Sequence, residues 1–315
     1  MLNRSATQAH GLQNRILNLR GKLMRGKWNT WVGAGALTAI LLCGAALAAA
    51  QSGQSQPAQQ QQPQPPPAQP DKDKLPNPAP LSMDNAAASP AEDSAVKSVQ
   101  QASDPSKKIQ LAEEFLQKYP QSRYRPTMYQ VLVSGYFATQ QVPKMLDAGE
   151  KEIEMNPNDA PVLAVMAQTL ARTYNAKVPD AAKQLDKAEL YSKRAIEITP
   201  TLPKPENLTE EAFNNAKSDT LVMAHGGLGL VYIRRGKFSE AIPELEQSVR
   251  ADTHPDPDPV NYYLLGIADK QTSHYEAAAA AFSKCATVQS SLQAACKSSA
   301  EEAKKQGSTQ LSAPN

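Results

Sequence analysis

The sequence predicts an all-α fold: antiparallel helix hairpins stacked in series behind an N-terminal apolar segment and a linker. Three observations predict it. From about Ala91 onward apolar residues recur at the helical period, and no run alternates with period two as a half-buried strand does. Helix-start signals are frequent, as where Asp104-Pro105 and Asp258-Pro259 place a capping carboxylate ahead of a proline in the first turn. One hairpin pattern occurs twice, marked by Gly229 and Gly266, 37 residues apart.

Composition narrows the function classes. The 315 residues hold 33 basic and 31 acidic side chains, a formal charge of +2, so nothing marks a nucleic-acid surface. Mean hydropathy is negative, which excludes a polytopic membrane protein. Three cysteines exclude a disulfide-dense mini-scaffold. The charge is uneven: residues 1–50 carry +6 and the remainder −4, so the chain is basic at its start and mildly acidic elsewhere.

Residues 1–50 read as a signal peptide or an N-terminal membrane anchor. Arg4, Arg15, Arg20, Lys22, Arg25 and Lys27 precede an uncharged run of 20 residues from Trp31 to Ala50. That length just spans a bilayer, yet eight alanines and three glycines make it weakly apolar. Its end, Ala46-Leu47-Ala48-Ala49-Ala50, has small residues at cleavage spacing. Cleavage near Ala50 leaves an exported soluble protein. Retention leaves an anchor with its basic end cytoplasmic, and residues 31–50 as the sole contact with a membrane. Translation from Met24 gives the shorter basic flank of an ordinary signal. Leu41-Leu42-Cys43-Gly44 has a bulky residue where a lipoprotein signal wants a small one, which favours an inert Cys43.

Residues 51–91 read as a disordered linker. Between 51 and 90 stand ten prolines and nine glutamines, with no aromatic residue. Such a segment buries too little apolar area to offset its ordering entropy. Pro65-Pro66-Pro67 favours extended geometry, so the linker serves as a spacer or, less readily, as a proline-rich ligand.

The body, residues 92–306, divides into helices near 92–102, 105–118, 123–138, 142–155, 160–174, 180–198, 207–235, 238–250, 259–271, 274–287 and 291–306, with a disordered tail over 307–315. Ser273 and Glu276 have capping-box spacing, and Pro143 and Pro243 are placed in first turns, where a missing N–H is tolerated. Short loops make neighbouring helices antiparallel hairpins.

The clearest hairpin carries Leu228, Gly229, Tyr232, Gly236, Phe238 and Ala241, continuing to Leu245 and Ser248; the next carries Tyr262, Leu265, Gly266, Tyr275, Ala278, Phe282 and Cys285. Both segments resemble the tetratricopeptide repeat, a helix-turn-helix unit of about 34 residues. The three extra residues belong to the Asp252–Pro259 loop. Departures from the family are His225 in place of a large aromatic, Asp269 in place of Tyr, and Thr253 and Ser290 in place of the closing Pro. Tyr129, Leu132, Tyr136 and Pro157 outline a weaker unit, and Leu163, Met166, Ala167, Ala188, Ala195 and Pro200 another, with about nine extra residues around Ala176–Ala182. The resemblance spans roughly 105–290 and is strongest over 222–290.

The resemblance implies a right-handed α-solenoid whose concave groove, lined by the first helix of each hairpin, grips a protein or peptide. Helical phase then places Gln130, Phe137, Arg172, Arg234, Tyr263 and Lys270 toward the groove, as partner contacts or as ordinary solvated side chains. Cys285 near one helix end and Cys296 near the next helix start face one another in an antiparallel hairpin, as a disulfide if the chain is exported or as two buried thiols.

Catalytic and metal signals are sparse. His10, His225, His254 and His274 are scattered, and Cys285 and Cys296 lack neighbouring ligands, so no metal or cofactor is expected. Gly226-Gly227-x-Gly229 lies within a helix and serves packing. Acidic pairs such as Glu113-Glu114 and Glu301-Glu302 read as solvated faces, and Asp252, Asp256 and Asp258 as a solvated loop. The reading is an exported, non-enzymatic scaffold of the bacterial envelope, with a membrane-anchored assembly or secretion accessory as the alternative. An enzyme with a groove active site is the reading from another class.

Overall fold

The computed structural model describes residues 89–206 and 208–311. The leader, the uncharged run 31–50 and nearly all of the linker lie outside them. Among the described residues the regular structure is eleven α-helices and one short 3₁₀ turn, Thr199–Thr201. In chain order the α-helices are α1 (Pro90–Gln101), α2 (Pro105–Lys118), α3 (Arg125–Ala138), α4 (Val142–Met155), α5 (Ala160–Arg172), α6 (Ala181–Ile198), α7 (Glu210–Arg234), α8 (Phe238–Ala251), α9 (Pro259–Gln271), α10 (Tyr275–Thr287) and α11 (Gln293–Leu311). No described helix is long and apolar enough to cross a membrane.

Local sequence sets the starts. Asp104, Asp159, Thr209 and Asp258 each accept a hydrogen bond from a first-turn N–H, satisfying one of the donors that a helix start leaves unpaired. Ser89 and Glu92 form a reciprocal capping box, so α1 starts at Pro90 rather than 92. Two expectations fail. The α10 start is capped at His274 without a side-chain bond, because Ser273 sits in the left-handed region and turns the chain. Pro243 is the sixth residue of α8, beyond the first turn, so its missing N–H interrupts the helix ladder. The expected end at 306 also falls short. Gly307 lies against Tyr275, Ser308 and Thr309 bond back to carbonyls one turn earlier, and α11 runs to Leu311.

Helices adjacent in sequence pack in pairs: α3 on α4, α5 on α6, α7 on α8 and α9 on α10. Contacts of α5 with α7, α6 with α7, and α8 with α9 join one pair to the next; α1 and α2 precede the row, and α11 lies on α10. The main core runs from Val96 to Val231 and centres on α5, which is buried from Val162 through Ala171.

Three of the four hairpin turns share one geometry. Each has three residues between helices, and the middle one has positive φ: Gln140 at 59°, Gly236 at 72° and Ser273 at 63°. In each, the N–H of the third residue bonds back to a carbonyl five residues earlier: Gln141 to Tyr136, Lys237 to Tyr232, His274 to Asp269. This is a Schellman-type closure, which satisfies the last carbonyls of the first helix and sends the chain back antiparallel. The α5–α6 connection is the exception, widened by the insertion around Ala176–Ala182.

Packing repeats in the same register. A Cβ on Gly229 would stand 2.5 Å from Leu245, and one on Gly266 would stand 2.7 Å from Phe282. Leu245 and Phe282 are again 37 residues apart. Leu228, Leu265, Ala241 and Ala278 are buried at these crossings, with Tyr232, Tyr262, Phe238 and Tyr275 half-buried around them. Tyr136, Tyr232 and Asp269 occupy equivalent places at the closures, so the aspartate substitutes in a position that elsewhere holds tyrosine.

Candidate functional site

The six groove positions differ in burial and in what they touch. Gln130 is buried at 8% exposure, and its amide donates to Asp159 Oδ2 at 2.5 Å and to Glu152 Oε1 at 3.4 Å. It is therefore an internal strut between α3, α4 and the α5 start, not a groove contact. Phe137 is half-buried against the main core. The Tyr263 ring lies tilted against Phe282 with centroids 5.6 Å apart, and Lys270 Nζ pairs with Glu302 Oε1 at 2.7 Å. Both reach toward the α10–α11 end, where the Phe282 ring and the Glu302 carboxylate meet them. Arg172 pairs with Asp258 Oδ2 at 3.2 Å, tying the end of α5 to the cap of α9 across 86 positions of chain. Arg234 alone of the six is exposed, its guanidinium 6.0 Å from the Tyr174 ring.

The polar groups that the fold brings together are mostly inside. Glu152 is fully enclosed, with Asn156 and Gln130 donating to Oε1 and the Asp159 carboxylate beside it. Burial first, then the charge of Asp159, pushes the Glu152 carboxyl up to about 10, so it is held protonated at neutral pH. The sequence signal was present but ambiguous, since a Glu on an amphipathic helix reads as solvated. Glu113, expected on a solvated face, accepts from the Tyr136 hydroxyl and lies 3.7 Å from Lys144.

Tyrosine hydroxyls make three such links in the N-terminal half: Tyr124 to Asp93 at 2.6 Å, Tyr136 to Glu113, and Tyr191 to Glu150 at 2.9 Å. Burial raises all three phenols further above their ordinary range, and the carboxylate partners add to it. Histidines replace them in the C-terminal half. His225 Nδ1 lies 2.7 Å from Glu244, His254 Nε2 lies 2.6 Å from Asp219, and His274 Nδ1 lies 3.8 Å from Asp269. Burial pushes the Asp269 carboxyl up to about 6, against the pull of His274. Each link spans two helices or a helix and its turn, which makes them structural ties.

The Asp252–Pro259 loop is folded on itself. Asp252 accepts from the backbone N–H groups of His254 and Asp258, and burial pushes its carboxyl up. Among the described residues no group of three or more His, Cys, Asp or Glu side chains is arranged to hold a metal ion. The sulfurs of Cys285 and Cys296 are bonded, with Cα atoms 5.8 Å apart and both residues fully buried.

No family model matches the chain, and no curated protein matches it. Among solved structures, the crystal structure of PilW, a widely conserved type IV pilus biogenesis factor, aligns at 15% identity over 72% of this chain and 97% of that one, with a TM-score of 0.45.

Proposed function

We propose that the chain is an exported, non-enzymatic scaffold: a tetratricopeptide-like, right-handed stack of hairpins that holds a protein or peptide partner at the bacterial cell envelope. The observation that carries export is the bond between Cys285 and Cys296. Such bonds persist in oxidising compartments and are rare where glutathione keeps thiols reduced. It joins the basic leader, the uncharged run and the small residues before Gln51, which make a targeting segment. The scaffold reading is supported by the shared turn geometry of three hairpins, since a series of like hairpins builds an extended surface suited to a partner.

The partner surface of this proposal lies around Arg234 and Tyr174, beside the α5–α6 insertion, where a cation and an aromatic ring adjoin and both keep access to solvent. A carboxylate-bearing segment suits that pair. Two experiments test the reading. Fractionation with N-terminal sequencing of the mature protein is expected to give a soluble chain starting near Gln51; cytoplasmic retention of an intact leader overturns export. Photo-crosslinking in cells from position 234, with probes on the exposed residues Lys187 of α6 and Gln247 of α8 in parallel, is expected to trap a partner at 234; crosslinks from 187 or 247 and none from 234 reject this surface. A membrane-anchored accessory is the second reading, favoured by the 20-residue uncharged run, and an extracted, membrane-bound chain with residues 31–50 intact selects it.

A further inference from the structure

The last helix packs closely along α10, through mostly small side chains and one covalent bond. Within α11 the buried apolar residues are Cys296, Ala300 and Ala303, all small, and Leu292 just before it is buried beside the two cysteines. They lie on Ala278, Ala279 and Phe282, with Tyr263 and Ile267 of α9 at the edge. The Lys270–Glu302 pair reaches the same helix, with Lys270 half-buried and Glu302 exposed. Small side chains remove little area from water, so the apolar hold on α11 is slight beside that of α5. The bond from Cys285 to Cys296 closes a segment of 11 positions at the start of α11.

We propose that the Cys285–Cys296 bond is a redox latch: oxidised, it keeps α11 on the end of the hairpin row; reduced, it lets α11 lift and uncovers Tyr263, Ile267 and Phe282. The reductant class is a dithiol. One of its thiolates attacks a sulfur of the pair and forms a mixed disulfide, and its second thiol displaces the remaining cysteine. Two electrons and two protons pass to Cys285 and Cys296, which become thiols, while the dithiol leaves as a disulfide. Both sulfurs are enclosed, so attack follows fraying of the α10–α11 connection. Loop-closure entropy for a segment this short sets the change in the opening equilibrium at about 100-fold. The inference rests on the bond and goes beyond the export reading, which it does not require.

The test is hydrogen exchange on the purified chain, oxidised and after dithiothreitol, with a Cys285→Ser/Cys296→Ser variant in parallel. Exchange of the Ala300–Ala303 amides is expected to rise about 100-fold on reduction, with α5–α8 amides unchanged. If the serine variant does not fold, the reduced wild-type chain carries the measurement. Exchange in α11 that stays within a few-fold of the oxidised chain overturns the proposal. So does loss of protection through α7–α9 together with α11, and so do two freely alkylated thiols in protein prepared under oxidising conditions.

Discussion

Replacing Glu152 by Gln tests the buried carboxyl pair. Glu152 is enclosed and its carboxyl is pushed from the ordinary 4.5 up to about 10, burial being the first cause and Asp159 the second. A carboxyl whose folded value is raised contributes fully below its unfolded value and loses that contribution as pH rises toward the folded value. Each pH unit in this window is worth roughly 1.4 kcal/mol. From 4.5 to neutrality the folded chain therefore gives up as much as about 3 kcal/mol at this one group. Gln keeps the shape, presents N–H in place of O–H, and does not titrate. Glu152→Gln is thus expected to match wild type near pH 4 and to exceed it by up to about 3 kcal/mol at pH 7. Urea melts followed by far-UV circular dichroism at a series of pH values measure the difference, in which other titrating groups cancel. A difference that stays constant from pH 4 to 9, or a variant less stable at every pH, refutes the assignment of a protonated Glu152.

Other expectations rest on separate features. Gly227→Ala places a methyl 3.2 Å from the backbone nitrogen of Gln168, which has no rotamer to yield, so a loss of about 1–3 kcal/mol is expected in the same melts. Gly149→Ala meets the Met166 thioether instead, and its loss is expected to be smaller because that side chain can move. Ser273→Gly removes a left-handed non-glycine residue and is expected to stabilise by about 0.5–1 kcal/mol, whereas Gly236→Ala, with open space around the new methyl, is expected to cost about 1 kcal/mol. Asp258→Ala removes both the α9 cap and the Arg172 partner; a loss of about 1–2 kcal/mol is expected, and a double-mutant cycle with Arg172→Ala is expected to show coupling.

Helix positions were readable because they depend on neighbours along the chain. Asp104 and Asp258 announce their helices by bonds to N–H groups within three residues, and the 37-residue step from Gly229 to Gly266 reappears as the step from Leu245 to Phe282. Side-chain direction on the body was less readable. The phase of α9 alone points Tyr263 and Lys270 at open space; that Phe282 of α10 and Glu302 of α11 meet them depends on contacts between separate helices. Gln130 was misplaced for a related reason, since its burial follows from two carboxylates brought in by α4 and α5. Ser273 has capping chemistry and capping spacing, yet the Schellman closure at Asp269 claims its backbone first. The leader and nearly all of the linker fall outside the described residues.

Gly226 and Gly227 give α7 a mechanical character. At one point the helix is within reach of Asn261 on α9, and one residue later it rests on the backbone of α5 at Gln168, with no side chain of its own in either contact. Side chains absorb displacement by changing rotamer, and bare backbone does not. Displacement of α9 is therefore taken up at the Asn261 side chain, whereas α7 and α5 meet at the Gln168 backbone and are expected to move together.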